Sequence, residues 1–150
     1  MGIISSASGS SCWRGLDYYK NKKTTDIKMI SDIEYTSIVS GTEEYNVYLN
    51  LEKPRKSTCN CPLANGKRII CKHIVATYFS VVPGSAKEFE DEQNRLQEEY
   101  EEYQQNQYKK AIKFINKMTK KELIEELMYI FAYAPEWVYE DFIKRNEVED

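Results

Sequence analysis

Tyr45, Val47, Leu49 and Leu51 recur at every second position, which predicts a strand with one buried face. An upstream run with Ile33, Tyr35 and then Ile38 or Val39 predicts a second strand, with its register open at the end. Gly41-Thr42-Glu43-Glu44 lies between them, so an antiparallel hairpin is the natural connection. Pro54 ends the second strand, and residues 55–70 read as loop, with Pro62 and an Asn65-Gly66 turn signal. A helix is expected over 72–82, turning Ile74, Tyr78, Phe79 and Val82 toward the hairpin, with Pro83-Gly84 as its stop. Residues 12–23 read as a short helix or turn that caps the core.

Beyond Gly84 the pattern is helical. Ser85 with Glu88 forms a capping-box pattern that opens a long helix to about Lys117, with a narrow stripe through Phe89, Leu96, Tyr100, Tyr103, Ala111 and Ile115. Thr119 with Glu122 opens a second helix, carrying Leu123, Leu127, Ile130 and Phe131. Ala134-Pro135 breaks it, and Pro135 suits the first position of a last helix with Trp137, Val138 and Phe142. The expected fold class is α+β: a ββα unit followed by an α-helical C-terminal region. The expected organisation is a disordered leader at 1–11, the ββα domain at 12–83, and a helical extension at 84–150, on or beside it.

Composition narrows the class. With 150 residues, 41% of them hydrophobic and 30% charged, the chain fits one globular domain and excludes collagen-like and wholly disordered proteins. Its apolar runs are too short for a membrane span. No secretory signal pattern opens it, so a cytoplasmic location is expected, where four cysteines favour a metal over disulfides. The net charge of -3 hides a split. Residues 1–83 hold eleven Lys and Arg against seven Asp and Glu, whereas 84–150 hold ten against seventeen.

The chemistry concentrates in Cys59-Asn60-Cys61 and Cys71-Lys72-His73, nine residues apart. Zinc takes four thiolate or imidazole ligands in a tetrahedron. In extended backbone Cys59 and Cys61 point to the same side. Cys71 and His73 cannot both face one ion from within a regular helix, so they are expected at its start, where backbone N–H groups stabilise a thiolate. The single histidine of the chain falls two positions after a cysteine. The expectation is one structural zinc ion held by Cys59, Cys61, Cys71 and His73. Cys12 is left as a small core or partly exposed residue.

These residues carry a resemblance. Cys-x-Cys followed by Cys-x-His, with Pro62 after the second cysteine and CKHIVA at 71–76, resembles a SWIM zinc finger. SGTEEYNVYL at 40–49 is similar to the hairpin that bacterial members place before the finger; WRGLDYY at 13–19 and KELIEELMYIFAYAPEW at 121–137 are similar to their flanking segments. The resemblance implies a ββα unit with zinc on those four positions. It further implies a DNA-binding or protein-binding module. SWIM domains occur in helicase-like remodelling ATPases, Mutator-type transposases, ubiquitin-linked kinases and recombination regulators. This chain has no Walker A or helicase motif, which leaves a stand-alone module or a partner of such an ATPase.

Lys53, Arg55, Lys56, Lys67, Arg68 and Lys72 flank the ligands, and residues 53–86 contain no acidic residue. Folding around zinc would gather these cations into a surface for phosphates. They also offset the formal charge of -1 on a zinc ion bound by three thiolates. No helix in the basic half groups Arg, Asn or Gln for reading bases. Two functions follow. One is nucleic-acid binding, DNA foremost, alongside a helicase-like or recombination protein. The other is a protein–protein adaptor whose helical half docks a partner, with the acidic helix selecting a basic one. Catalysis is not expected, because residues closed around zinc cannot serve as nucleophile or base.

Overall fold

Val39, Val47 and Leu49 are almost fully buried, and they lie on one face of a single antiparallel sheet. A computed structural model describes residues 2–146. The strands are β1 (Thr24–Ser31), β2 (Glu34–Ser40), β3 (Glu44–Asn50) and β4 (Thr58–Cys59), in that order across the sheet. The helices are α1 (Ile3–Ser6), α2 (Gly9–Lys20), α3 (Lys72–Val81), α4 (Ser85–Ile115), α5 (Lys120–Tyr133) and α6 (Glu136–Asn146). The expected hairpin is β2–β3, and Tyr35, Ser37 and Val39 pair with Leu49, Val47 and Tyr45. Val39, not Ile38, is therefore the inward residue, because a strand alternates strictly. The inward run of β2 includes Ser37, whose hydroxyl shares a 2.7 Å hydrogen bond with Thr77 of α3.

Three features depart from the expected pattern. The sheet gains β1, which pairs with β2 and leaves Ile27, Met29 and Ile30 exposed. A strand with no buried face has no alternation to detect. Its register shifts between Thr25 and Lys28, where Asp26 takes a positive φ of 47°. Second, the described part of the leader, residues 2–11, is folded. Ile3 is buried in the core, and Ala7 bridges to Ile70, tying the chain start to the segment just before Cys71. Two isoleucines among small polar residues suffice, because the core supplies the partner surface that the segment lacks. Third, Ser85 does not cap α4. It lies within the first turn, and its hydroxyl donates to the Val82 carbonyl at 2.7 Å. Thr119 and Glu122 do form the reciprocal box that opens α5.

The described residues divide into two compact units, one ending at Asn94 and one starting at Arg95. The first includes the opening turns of α4, where buried Phe89 lies 5.2 Å from the Trp13 ring and 5.7 Å from Phe79. In the second, the Phe131 ring of α5 meets Phe142 of α6 at 5.1 Å. No described helix is long and apolar enough to cross a membrane.

Candidate metal centre

Cys59 closes β4 opposite Val47, so its side chain shares the inward direction of Val47. Cys61 follows two residues later on the same side, as extended geometry requires. Asn60, between them, is fastened to Asn46 twice: its side-chain oxygen accepts from the Asn46 amide at 2.8 Å, and its amide donates to the Asn46 carbonyl at 3.3 Å. The chain then turns back. The Ala64 and Asn65 amides both donate to the Cys61 carbonyl, at 3.0 and 2.9 Å, and Gly66 takes the left-handed φ of 69° that the reversal needs.

Cys71 is the extended N-cap of α3 and His73 sits in its first turn. Gly15 lets this turn approach α2: a methyl group there would lie 2.6 Å from the Val75 Cβ. The Tyr45 ring stacks on His73 at 4.3 Å and sets the plane of the imidazole.

The donor atoms of Cys59, Cys61, Cys71 and His73 all lie within 4.8 Å of one another, and all four residues are buried. His73 Nδ1 is 3.6 Å from the Cys59 sulfur and 3.9 Å from that of Cys71. Donors on a tetrahedral zinc, with bonds of roughly 2.0–2.3 Å, are separated by about 3.5–3.8 Å. Nδ1 is thus the nitrogen placed to bind a metal ion. Nε2 is buried with no hydrogen-bond partner among the described residues, and with Nδ1 on a metal it would carry the imidazole proton.

The electrostatics agree. Hydrogen bonding from Cys59, from His73 and from the Ile74 and His73 amides pulls the Cys71 thiol down to about 4, against burial. The Cys59 thiol is pushed up, first by sharing its proton with Cys71 and then by burial. Both effects favour a thiolate on Cys71, and a zinc ion held by these residues would displace the remaining thiol protons. A soft, buried Cys3His set with these separations fits one structural zinc ion. Cys12 takes no part. It is buried, its thiol is pushed up by burial, and its sulfur lies 3.7 Å from the Ile4 carbonyl.

The six flanking cations separate into two groups. Lys53, Arg55, Lys56 and Arg68 line one concavity of about 450 Å3, together with Glu52. Arg55, Lys56, Lys67 and Arg68 line an adjoining one of about 480 Å3. Lys72 belongs to neither. Its ammonium donates to the Tyr18 hydroxyl at 2.6 Å and lies 4.3 Å from the centre of that ring. It shares instead a smaller cleft of about 220 Å3 beside the metal ligands with Arg14, Tyr45 and Leu63. Arg14 and Tyr18 come from α2, far upstream of the ligands, so no spacing ties them to the centre, and their one sequence signal is the resemblance of WRGLDYY at 13–19 to a segment flanking the finger.

No curated protein and no solved structure matches the chain. The family model described as the SWIM zinc finger matches residues 45–81, which span β3, β4, the metal loop and α3. The match spans all four residues that the geometry brings together: residues 45–81 are a SWIM-type zinc finger.

Proposed function

We propose that the protein is a zinc-stabilised module that binds nucleic acid, DNA foremost, and acts beside a helicase-like or recombination protein. One observation carries this reading. Lys53, Arg55, Lys56, Lys67 and Arg68 line two concavities that share walls, on the loops that the metal folds together. Phosphate contacts supply most of the affinity of such a surface and make it salt-dependent. Lys72, held on Tyr18, is left out of the proposed surface. Free thiols in a buried metal cluster suit a reducing compartment, so we place the protein in the cytoplasm.

A salt titration of DNA binding tests the reading. Lys67→Ala with Arg68→Ala should weaken binding across sequences and reduce the slope of log K against log salt by about 2. Unchanged affinity and slope would remove the assignment.

The adaptor reading has its own support. Ile124, Met128, Tyr133 and Trp137 are large, apolar and exposed, and neither α5 nor α6 has a buried residue. Such surfaces mark protein contacts. An affinity pull-down should then recover a partner with the whole chain and lose it on deletion of 118–150. Retention of that partner after the deletion would count against this reading.

A further inference from the structure

A third concavity continues the first two. Its volume is about 310 Å3, and its walls include Lys28, Thr36, Asn46 and Tyr48. Tyr48 also lines the concavity that holds Arg55, Lys56, Lys67 and Arg68, so it stands where the two meet. It occupies the outward register of β3, between inward Val47 and Leu49. Its far end is clamped. The hydroxyl donates to the Glu34 carboxylate, and the Asn50 side-chain amide donates to the same carboxylate oxygen at 3.1 Å. The phenol is thus a ring of fixed orientation beside a row of cations.

Glu34, which accepts from the Tyr48 hydroxyl and feels the charge of Lys56, stands beside the middle of this groove, and two other acidic groups sit toward its ends. Glu52 lines the first concavity, and Asp26 lines the third, where it pairs with Lys28 at 3.1 Å. The middle concavity, with four cations and Tyr48, has no acidic residue in its wall. None of its cations lies on an α-helix or on a paired strand, the shapes that enter a duplex major groove about 12 Å wide. A duplex keeps its bases stacked inside and offers a concavity only its backbone. A single strand offers phosphates and bare base faces together, and a cationic groove with an aromatic platform takes both.

We infer that this groove holds single-stranded nucleic acid in preference to duplex, with phosphates on Arg55, Lys56, Lys67 and Arg68 and a base stacked on Tyr48. The inference rests on the nucleic-acid reading above and specifies the form bound.

The test uses the zinc-loaded full chain and fluorescence anisotropy at one fixed salt concentration. The probes are an unstructured DNA strand, the RNA strand of the same sequence, and the blunt DNA duplex. At least one single strand should bind about tenfold more tightly than the duplex, the size of one stacked base. Whichever strand binds tighter identifies the natural form. Tyr48→Leu should weaken single-strand binding by about tenfold and leave duplex binding unchanged, whereas Tyr48→Phe keeps the ring and the preference. Zinc content and circular dichroism check that the variants fold, and if Tyr48→Leu does not, the wild-type ratio and Tyr48→Phe decide. A duplex bound as tightly as both strands overturns the inference and leaves the nucleic-acid reading standing. So does a folded Tyr48→Leu protein with its preference intact. Binding of none of the three probes removes both.

Discussion

Replacing Cys61 with Ser, or His73 with Ala, unfolds the sheet and α3 while much of the helical signal of α4, α5 and α6 persists. The magnitudes force this outcome. Structural zinc contributes on the order of 10–16 kcal/mol to small domains at neutral pH, and whole domains are stable by only about 5–15 kcal/mol. The four ligands also join parts of the chain that little else holds. β4 is two residues long, and the segment from Asn60 to Ile70 contains no helix or strand. Without the ion, three buried sulfurs and a buried imidazole would face each other with no metal to hold them together. The check is paired: zinc per chain by elemental analysis, and the sheet and helix signals by circular dichroism. A wild-type chain with under half an equivalent of zinc would overturn the assignment. So would a Cys61→Ser protein that melts like wild type.

The ligand set was legible in the sequence because its chemistry is carried by residue types at fixed spacing. Cys-x-Cys in extended chain and Cys-x-His at a helix start leave few ways to converge. The β2–β3 hairpin was legible where burial is one-sided, as at Tyr45, Val47 and Leu49. It was less so at Ser37, whose inward hydroxyl breaks the apolar pattern and is satisfied only by Thr77, forty residues on. β1 was invisible because both its faces are exposed. Ile3 and Ile4 carried too little apolar surface to announce a helix, and only the tertiary core makes them one. The cations show the same limit. All six flank the ligands in sequence, but Lys72 is drawn onto the Tyr18 ring, a partner fifty-four residues away that spacing cannot reveal. Tyr48 read only as one position of a strand, because its fixed ring depends on Glu34 across the sheet, whose carboxylate Asn50 of the same strand as Tyr48 also holds.

Gly15 is the position where a small change should reach the metal centre from outside the family match. It is buried on α2, and a Cβ there would meet Val75 Cγ1 at 2.5 Å, Val75 Cβ at 2.6 Å and the Lys72 carbonyl at 3.0 Å. Rotating Val75 could move its Cγ1, although valine in a helix strongly prefers one rotamer. No rotation moves its Cβ or the Lys72 carbonyl, so the helices must separate. Alanine in place of a helical glycine gains about 1 kcal/mol of propensity, less than the cost of overpacking, roughly 1–3 kcal/mol and sometimes more. Gly15→Ala should therefore be destabilising despite its better propensity, and Gly15→Val should cost about 3 kcal/mol, read as a lower urea midpoint at constant slope. Gly9, on the same helix, is the control, since a Cβ there meets nothing within 4 Å and Gly9→Ala should be nearly neutral. The displaced element is the first turn of α3, which carries Cys71 and His73. Both Gly15 variants should thus lose zinc to a chelator faster than wild type, and Gly9→Ala should not. A lowered midpoint with unchanged chelator sensitivity would mean that the displacement is absorbed beyond His73, and that α2 supports the core without positioning the ligands.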